Sequence, residues 1–231
     1  MMSTLLLRFG APLQSWGSSS VYDRRESDDM PTKSGVVGML AAAFGRKRDE
    51  SLEDLNALQF GVRVDLPGSR VNDFQITDMG EKLNKNISRR VYLSDALFLI
   101  GLSCEDEKFL EEVDKAVRNP QYPLFLGRRS CPPTMPLDLG IRQADLYEAL
   151  YEEGWMVPEW REKEIFRTMR EIRLRIVMDG SEDQGGRKKD LPVSFSPYKR
   201  EYGYRYIVEK EPKIIKRGTD EIEHDPMKEL G

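Results

Sequence analysis

The sequence predicts an α+β fold, in which a ferredoxin-like split βαβ domain with a projecting β-hairpin arm precedes a small C-terminal β-rich lobe. Strand-like and helix-like segments alternate in the order β-α-β, arm, β-α-β as far as Leu126. The polar, basic stretch Arg70–Leu93 interrupts this order at its middle, and the proline-rich Pro132–Pro136 ends it. We therefore predict a domain at residues 1–131, with the arm at about 70–93, and a smaller lobe with a charged tail at 132–231.

The first half of the predicted domain has two strands and two helices. Thr4–Phe9 is apolar and ends at a turn signal, which predicts a strand. Gln14–Met30 is polar and predicts a loop. Ser34–Phe44 is apolar on most of its faces, which indicates a buried helix. Ser51–Leu58 predicts a short second helix, and Phe60–Asp65 a second strand.

The second half begins with the arm, whose turn we expect at Asp78-Met79-Gly80. Ala96–Ser103 is almost wholly apolar, which favours a central strand. Lys108–Val117 has apolar residues at helical spacing and predicts an amphipathic helix. Tyr122–Leu126 completes the order as a fourth strand. A four-stranded sheet of this RRM-like kind is also the platform of RNA-recognition modules.

The C-terminal lobe shows weaker signals. Its predicted elements are a helix near Gln143–Glu153, a strand near Arg173–Met178, a glycine-rich basic loop at Gly185–Lys189, strands at Val193–Phe195 and Tyr204–Val208, and frayed, charged residues after Lys210.

Composition excludes a globally basic nucleic-acid binder, because the formal net charge of the 231-residue chain is -4. Basic residues nevertheless gather locally, and binding of a polyanion follows the local field. The basic segments are Arg24–Arg25, Arg46–Arg48, Lys82–Arg90, Arg128–Arg129 and Arg187–Lys189. Cys104 and Cys131 have no metal-type spacing, and no apolar stretch is long enough to span a bilayer. We expect a cytoplasmic protein with no metal, no cofactor and no membrane partner.

The segment Met30–Glu50 resembles part of a nucleotide-binding P-loop, since Lys33 and Ser34 precede a buried helix. The glycines that would wrap a phosphate are missing upstream, which excludes a mononucleotide cradle. Two interpretations remain. The helix start and Lys33 attract some other anion, or Ser34 simply caps the helix while Lys33 is solvated.

Catalytic residues are scarce. The single histidine, His224, lies in the charged tail, so no Ser-His-Asp or Cys-His arrangement is evident. Tyrosine and lysine can replace histidine in metal-independent RNA cleavage when their pKa values are shifted. An endoribonuclease that uses tyrosine and lysine therefore remains the alternative to a binding protein.

Arginines interleaved with aromatic residues form the clearest chemical pattern. They occur in three separate segments, which contain Trp16, Tyr22, Arg24 and Arg25, then Arg89, Arg90 and Tyr92, and finally Gly127-Arg128-Arg129-Ser130. Guanidinium groups match phosphate oxygens, and aromatic rings stack on unpaired bases. Each segment also has a plainer interpretation, with Trp16 in the core and the arginines solvated. The predicted sheet would bring all three segments to one end and one face.

Three stretches carry a family resemblance. They are LRFGAPLQSWGSSSVYDRRESDDMPTKSGVVGMLAAAFGRKRDE, SRRVYLSDALFLIGL and LFLGRRSCPPTMPL. They resemble, in order and spacing, the signature blocks of the CasD-type subunits of type I-E CRISPR Cascade complexes. That family belongs to the repeat-associated RNA-binding superfamily with RRM-like folds. The resemblance is strongest over Thr4–Pro136.

The resemblance implies a non-catalytic subunit for antiviral defence that grips the 5′ handle of the CRISPR RNA and caps the backbone filament. Its implied partners are the backbone subunit CasC, the large subunit CasA and, through the complex, target DNA. The arm would displace a base beside the handle. A related type I-C family cleaves precursor RNA, but this sequence has no histidine in its core. The implied RNA-contacting residues are Trp16, Arg24, Arg25, Lys33, Ser34, Arg89, Arg90, Tyr92, Arg128, Arg129 and Ser130.

Overall fold

The structure is a computed structural model that describes residues 2–17, 24–77 and 86–217. The predicted arm turn at Asp78-Met79-Gly80, the aromatic residue Tyr22 and the tail with His224 lie outside the described residues. In the part of the chain that is described, no helix is both long enough and apolar enough to cross a membrane.

The described residues form five helices and eleven strands. The helices are α1 (Lys33–Ala43), α2 (Glu53–Ala57), α3 (Glu107–Arg118), α4 (Leu146–Glu152) and α5 (Glu159–Ile165). The strands are β1 (Ser3–Gly10), β2 (Leu13–Gln14), β3 (Arg24–Arg25), β4 (Gln59–Leu66), β5 (Ser69–Thr77), β6 (Asn86–Ser94), β7 (Leu97–Cys104), β8 (Asp138–Arg142), β9 (Glu171–Asp179), β10 (Gly186–Phe195) and β11 (Arg200–Lys216).

Seven strands form the main sheet in the order β10-β11-β9-β4-β7-β1-β8, and every neighbouring pair is antiparallel. The structure confirms the predicted mixture of helices and strands. Ala96–Ser103 was predicted as a central strand, and β7 lies between β1 and β4 with only its last residue less than fully buried. The predicted strands Thr4–Phe9 and Phe60–Asp65 are present as β1 and β4.

The fourth strand was placed wrongly. Tyr122–Leu126 forms no strand, because its backbone is engaged in loops. Leu126 donates its amide to the carbonyl of Cys131 at 2.7 Å and accepts from the amide of Ser15 at 3.2 Å, while Pro123 has no amide hydrogen. The position beside β1 is taken by β8, which is half-buried throughout and lacks a clear apolar alternation.

The C-terminal strands extend the same sheet, which therefore runs across the division predicted at 131/132. β9 pairs with β4, β11 with β9, and β10 with β11. The predicted loop at Gly185–Lys189 is wrong, since β10 begins at Gly186. Fraying after Lys210 is also wrong as far as Lys216, which pairs with Glu171 of β9. One side of these strands is exposed and carries charged residues. The strands therefore lack the continuous apolar run that identifies a buried strand in the sequence.

Helices cover the main sheet unequally on its two faces. Leu5, Leu7 and Phe9 of β1 belong to the larger core, which also includes apolar residues of α1 and α3. Leu6 points to the opposite face, where it packs with Leu146 and other residues of α4. This alternation is the two-residue period of a strand buried on both faces. α1 is buried along most of its length, as its apolar sequence predicted.

The arm is present as an antiparallel hairpin of β5 and β6, paired from Ser69 with Ser94 to Thr77 with Asn86. Its returning strand β6 also pairs with β2 and, in parallel, with β3. These four strands form a second sheet whose centre is β6. The arm is thus anchored at its base by chain segments that precede α1.

A fully buried ion pair fixes α4 beneath the main sheet. Arg63 of β4 donates to both carboxylate oxygens of Asp65 at 2.7 and 3.0 Å, and both side chains are 0% exposed. Its remaining N–H groups reach carbonyls at the C-terminal end of α4, those of Leu150 and Glu153 at 2.6 Å and of Gly154 at 2.7 Å. The guanidinium therefore satisfies the open end of the helix as well as the carboxylate.

Candidate nucleic-acid interface

The pairing of β3 with β6 brings two arginine pairs together. In the parallel register, Arg24 lies opposite Arg89 and Arg25 opposite Arg90. Successive residues of a strand point to opposite faces, so Arg25 and Arg90 share one face of the arm's base. Arg89 points to the other face, where its guanidinium lies 5.3 Å from the ring centroid of Phe74. The side chain of Arg24 lies outside the described part of the structure.

Arg128 joins Arg25 and Arg90 from a third segment. Its Nη2 donates to the carbonyl of Arg25 at 2.9 Å, and its guanidinium lies 4.6 Å from the ring centroid of Tyr92. Its Nη1 is buried and has no hydrogen-bond partner among the described residues. A buried guanidinium N–H without an acceptor costs free energy, and a phosphate oxygen would relieve that cost.

Tyr92 forms the floor of this site. It is 4% exposed, so its hydroxyl is largely withdrawn from solvent. Burial alone would raise the pKa of Tyr92, but the polar side chains of Arg128, Ser130 and Arg90 near its hydroxyl, together with the positive charge of Arg128, lower the pKa below its usual value. Tyr92 therefore supports the guanidinium groups and cannot offer its ring to a base. We call Arg25, Arg90, Arg128 and Ser130, gathered around Tyr92, the arginine cluster.

The charge of the arginine cluster is uncompensated. Among residues 2–17, 24–77 and 86–217, no carboxylate lies within ion-pair distance of its arginines, whereas fifteen ion pairs form elsewhere. Arg25 is exposed, and Arg90 and Arg128 are half-exposed. Arg129 and Ser130 are exposed beside them. Such a surface suits a phosphate chain.

Gly127 sets the position of Arg128. Its φ is +85°, and a Cβ atom there would lie 1.7 Å from the carbonyl oxygen of Ser15. No side chain fits at that distance, so the loop Gly127-Arg128-Arg129-Ser130 approaches the Ser15 backbone only because the residue is glycine. This close approach brings Arg128 alongside the segment that carries Arg25.

Gly127→Ala is expected to lower the free energy of unfolding by at least about 2 kcal/mol, because the left-handed backbone is strained and the Ser15 loop must move. Urea denaturation measures the change. Gly140→Ala is the matched control, since Gly140 also has φ +85° but its nearest atom would be 3.7 Å from the new Cβ. Equal losses in the two variants would contradict the role assigned to close packing at Ser15.

Trp16 is a core residue, so the structure does not support its predicted contact with RNA. It is 1% exposed and stacks on Phe9 with ring centroids 5.6 Å apart and planes 7° apart. Its Nε1 donates to Gln14 Oε1 at 3.1 Å. With its ring and its donor both engaged, Trp16 positions the chain that leads to β3 and cannot stack on a base.

The start of α1 contradicts the interpretation that Ser34 caps the helix and Lys33 is solvated. Thr32, not Ser34, caps the helix by accepting from the Gly35 amide at 3.2 Å. Lys33 is buried, and its Nζ lies 2.8 Å from both Asp179 Oδ2 and the Leu58 carbonyl. Ser34 is buried too, donating to Thr32 Oγ1 at 3.3 Å. Neither Lys33 nor Ser34 is placed to reach RNA.

The anion at the start of α1 is a carboxylate of the protein itself. Asp190 Oδ2 accepts from the Lys33 amide at 3.0 Å, and Asp190 is 0% exposed. Arg205 donates to Asp190 at 2.6 and 2.9 Å and to Asp179 at 2.7 Å. These two carboxylates and two cations, Lys33 and Arg205, form a neutral, largely buried network that joins α1 to β9, β10 and β11. Sequence separation hid it, since Lys33 and Asp190 are 157 positions apart.

Sequence reasoning also missed functional candidates. Phe74, 61% exposed beneath Arg89, has the strand-alternation signal of an exposed arm residue but was not selected. The sequence around Arg187 and Lys189 predicts a basic loop, and no local pattern connects these residues with Tyr204. In the described residues, no group of three or more His, Cys, Asp or Glu side chains could hold a metal ion.

Comparison with known proteins gives a consistent set of relatives. The family model described as CRISPR-associated protein (Cas_Cas5) matches residues 4–208. The CRISPR system Cascade subunit CasD of Escherichia coli (strain K12) is 38% identical over 164 residues, which make up 62% of this chain and 73% of the relative.

Solved structures agree with these sequence relationships. A chain of a CRISPR RNA-guided surveillance complex superposes with a TM-score of 0.74 at 29% identity, covering 92% of this chain and 91% of that chain. A second solved structure, described as a Cas protein, superposes with a TM-score of 0.69 at 37% identity, covering 91% and 95% of the two chains.

Proposed function

Since the chain belongs to the CRISPR-associated Cas5 family, we propose that it is an RNA-binding subunit of a Cascade-type surveillance complex and grips the 5′ handle of the CRISPR RNA at the arginine cluster. One observation carries this proposal. Arginines from three distant segments meet around Tyr92 with no carboxylate among the described residues to neutralise them. A core-stabilising arrangement would pair these charges, as the network of Lys33 and Arg205 does.

The order of strands in the main sheet also supports the proposal. The strands β8, β1, β7 and β4 are adjacent in that order and antiparallel, with α1 and α2 between β1 and β4 and α3 between β7 and β8. This order is the one expected of a ferredoxin-like split βαβ unit, on which RRM-like RNA-binding proteins are built, and it supports an RRM-like fold as part of the proposal. The arm leaves this unit between β4 and β7, beside the arginine cluster, where it would cover a bound strand.

The chemistry of binding follows from the guanidinium groups. Arg128 uses Nη2 to hold the Arg25 carbonyl, and its Nη1 is buried without a partner among the described residues, so a phosphate oxygen would bind Nη1 only after the neighbouring side chains shift. Arg25 and Arg90 would contact neighbouring phosphates from the same face of β3 and β6. Guanidinium forks match phosphate geometry, and each neutralised phosphate adds a salt-dependent contribution to affinity. The 5′ handle would thus be held mainly by its backbone.

The partners of this subunit are proposed from its relatives. One relative is a Cascade subunit, and another is a chain of an RNA-guided surveillance complex. We extend this to the backbone subunit CasC, whose filament this chain would cap, to the large subunit CasA, and to target DNA through the complex.

We propose that the subunit does not cut RNA. Among the described residues, Tyr92 is the tyrosine with a lowered pKa, yet it is 4% exposed beneath Arg128, so a substrate hydroxyl cannot reach its oxygen without rearrangement. Purified protein is expected to leave repeat RNA intact. If it cleaved that RNA and Tyr92→Phe abolished the cleavage without unfolding the protein, the endoribonuclease alternative would replace this proposal.

Arg25→Glu combined with Arg90→Glu is expected to weaken binding of a synthetic 5′-handle RNA from the host's CRISPR array at least about tenfold. The slope of log affinity against log salt should also become shallower by about 0.7 for each lost phosphate contact. Fluorescence anisotropy over a salt series measures both quantities on the full chain. Retention of CRISPR RNA by the co-expressed complex should fall in parallel.

The matched control reverses two cations on α5. Arg161 and Lys163 are ion-paired with Glu164 and Glu159, respectively. Arg161→Glu with Lys163→Glu therefore makes the same change in net charge at a site that we do not assign to RNA. If both double variants weakened RNA binding equally, only the net charge would matter, and the assignment of the handle to the arginine cluster would fail.

A further inference from the structure

The edge of the main sheet carries a second basic and aromatic surface. The guanidinium of Arg187 lies 4.3 Å from the ring centroid of Tyr204, and the Nζ of Lys189 lies 5.8 Å from it. Arg187 and Lys189 are exposed, and Tyr204 is 53% exposed. We call these three residues of β10 and β11 the edge patch.

Charged side chains on β10 alternate between two environments. Those at one set of positions form ion pairs, and those at the other set form none among the described residues. Lys188 pairs with Asp28 at 3.0 Å, and Asp190 pairs with Arg205 in the buried network. Arg187 and Lys189 occupy the intervening positions and point away from that network. In the described ranges, neither has a carboxylate within ion-pair distance, and their contact is the Tyr204 ring.

We propose that the edge patch binds single-stranded RNA, with a base stacked on Tyr204 or on the Arg187 guanidinium and flanking phosphates held by Arg187 and Lys189. Aromatic rings and arginine planes accept any unpaired base, and the adjacent cations follow the phosphate backbone. An acidic protein would pair with the two cations but would leave the half-exposed Tyr204 ring without a stacking partner. An unpaired nucleotide uses both the charges and the ring.

The place of the edge patch in the fold agrees with this occupant. β10 is the outermost strand of the main sheet on this side, so no described strand covers it. The Lys188–Asp28 ion pair joins β10 to the segment that follows Arg25. The edge patch therefore neighbours the chain that supplies the arginine cluster, although it is a separate set of residues. The inference goes beyond the proposed function, because it requires neither the 5′ handle nor the arm.

The test uses the full chain and a short fluorescent oligouridine that contains 4-thiouridine. We expect ultraviolet light to crosslink the oligouridine to the peptide that contains Tyr204. Arg187→Glu with Lys189→Glu should reduce that crosslink at least about tenfold, and Tyr204→Ala should reduce affinity at the edge patch about fivefold or more. Tyr204→Phe keeps the ring and should bind as the wild type does. Arg161→Glu with Lys163→Glu is the charge-matched control.

Measurement in the Arg25→Glu, Arg90→Glu background separates the two surfaces. A crosslink at Tyr204 that persists in this double variant supports an independent edge patch, whether or not the arginine cluster binds the 5′ handle. The inference is overturned if the wild type shows no such crosslink, or if Arg187→Glu with Lys189→Glu leaves the crosslink yield unchanged. Either result would leave the proposal for the arginine cluster unaffected. Release of a protein subunit from the complex, with the Tyr204 crosslink unchanged, would show that the reversed charges serve a protein contact and would also overturn it.

Discussion

Asp190→Asn is expected to lower the free energy of unfolding by about 3–5 kcal/mol. Asp190 is 0% exposed and accepts hydrogen bonds from the Lys33 amide and from two nitrogens of Arg205. The substitution preserves shape but removes one of two negative charges, so Lys33 and Arg205 would share Asp179 alone. Lys33 and Arg205 are 7% and 9% exposed, so little water would stabilise the net positive charge that remains.

Chemical denaturation followed by circular dichroism measures this loss. Asp183→Asn is the control, because Asp183 is an exposed residue in the turn before β10 and its change should stay within about 0.5 kcal/mol. An Asp190→Asn loss below about 1 kcal/mol would mean that water or backbone movement replaces the carboxylate, and that the four charges do not form a tight network.

Arg63→Met is expected to destabilise the protein by a similar amount, about 3–5 kcal/mol. It leaves the fully buried carboxylate of Asp65 without its cation. It also removes the donors that Leu150, Glu153 and Gly154 use at the end of α4. The apolar replacement fills much of the volume, so the loss would be mainly electrostatic and would not reflect a large cavity.

A double substitution distinguishes these contributions. Asp65→Asn added to Arg63→Met removes the unpaired charge and keeps an oxygen for the Met156 amide, which lies 3.0 Å from Asp65 Oδ2. The double variant should therefore be more stable than Arg63→Met alone. If it were less stable, the cost of Arg63→Met would come from the freed carbonyls at the end of α4, and the ion pair would contribute little.

The sequence predicted those elements whose own residues are apolar enough to identify them. β7 is an unbroken apolar run and α1 is apolar on most faces, so each is evident without knowledge of its neighbours. β8, β10 and β11 were missed or shortened because they are half-exposed and carry alternating charges. Their pairing partners, not their composition, make them strands.

The same distinction between local and long-range signals applies to the candidate site. Residue types and segment order were enough to predict that Arg25, Arg90 and Arg128 meet, and the structure brings them together. They were not enough to tell a buried lysine from a solvated one, because Asp179 and Asp190 reach Lys33 from distant strands. Trp16 was ambiguous for the same reason, since an aromatic residue in a polar loop gives no sign of the Phe9 ring that covers it.

The pairing of β3 with β6 determines when in folding the proposed RNA site forms. The two strands are parallel and far apart in the chain, with α1, α2, β4 and β5 between them. Long-range closures of this kind cost more loop entropy than a hairpin and form slowly relative to local contacts. A nascent or partly unfolded chain therefore has its arginines dispersed along the backbone. Under the proposed function, only chains that have completed folding would therefore capture RNA at the arginine cluster.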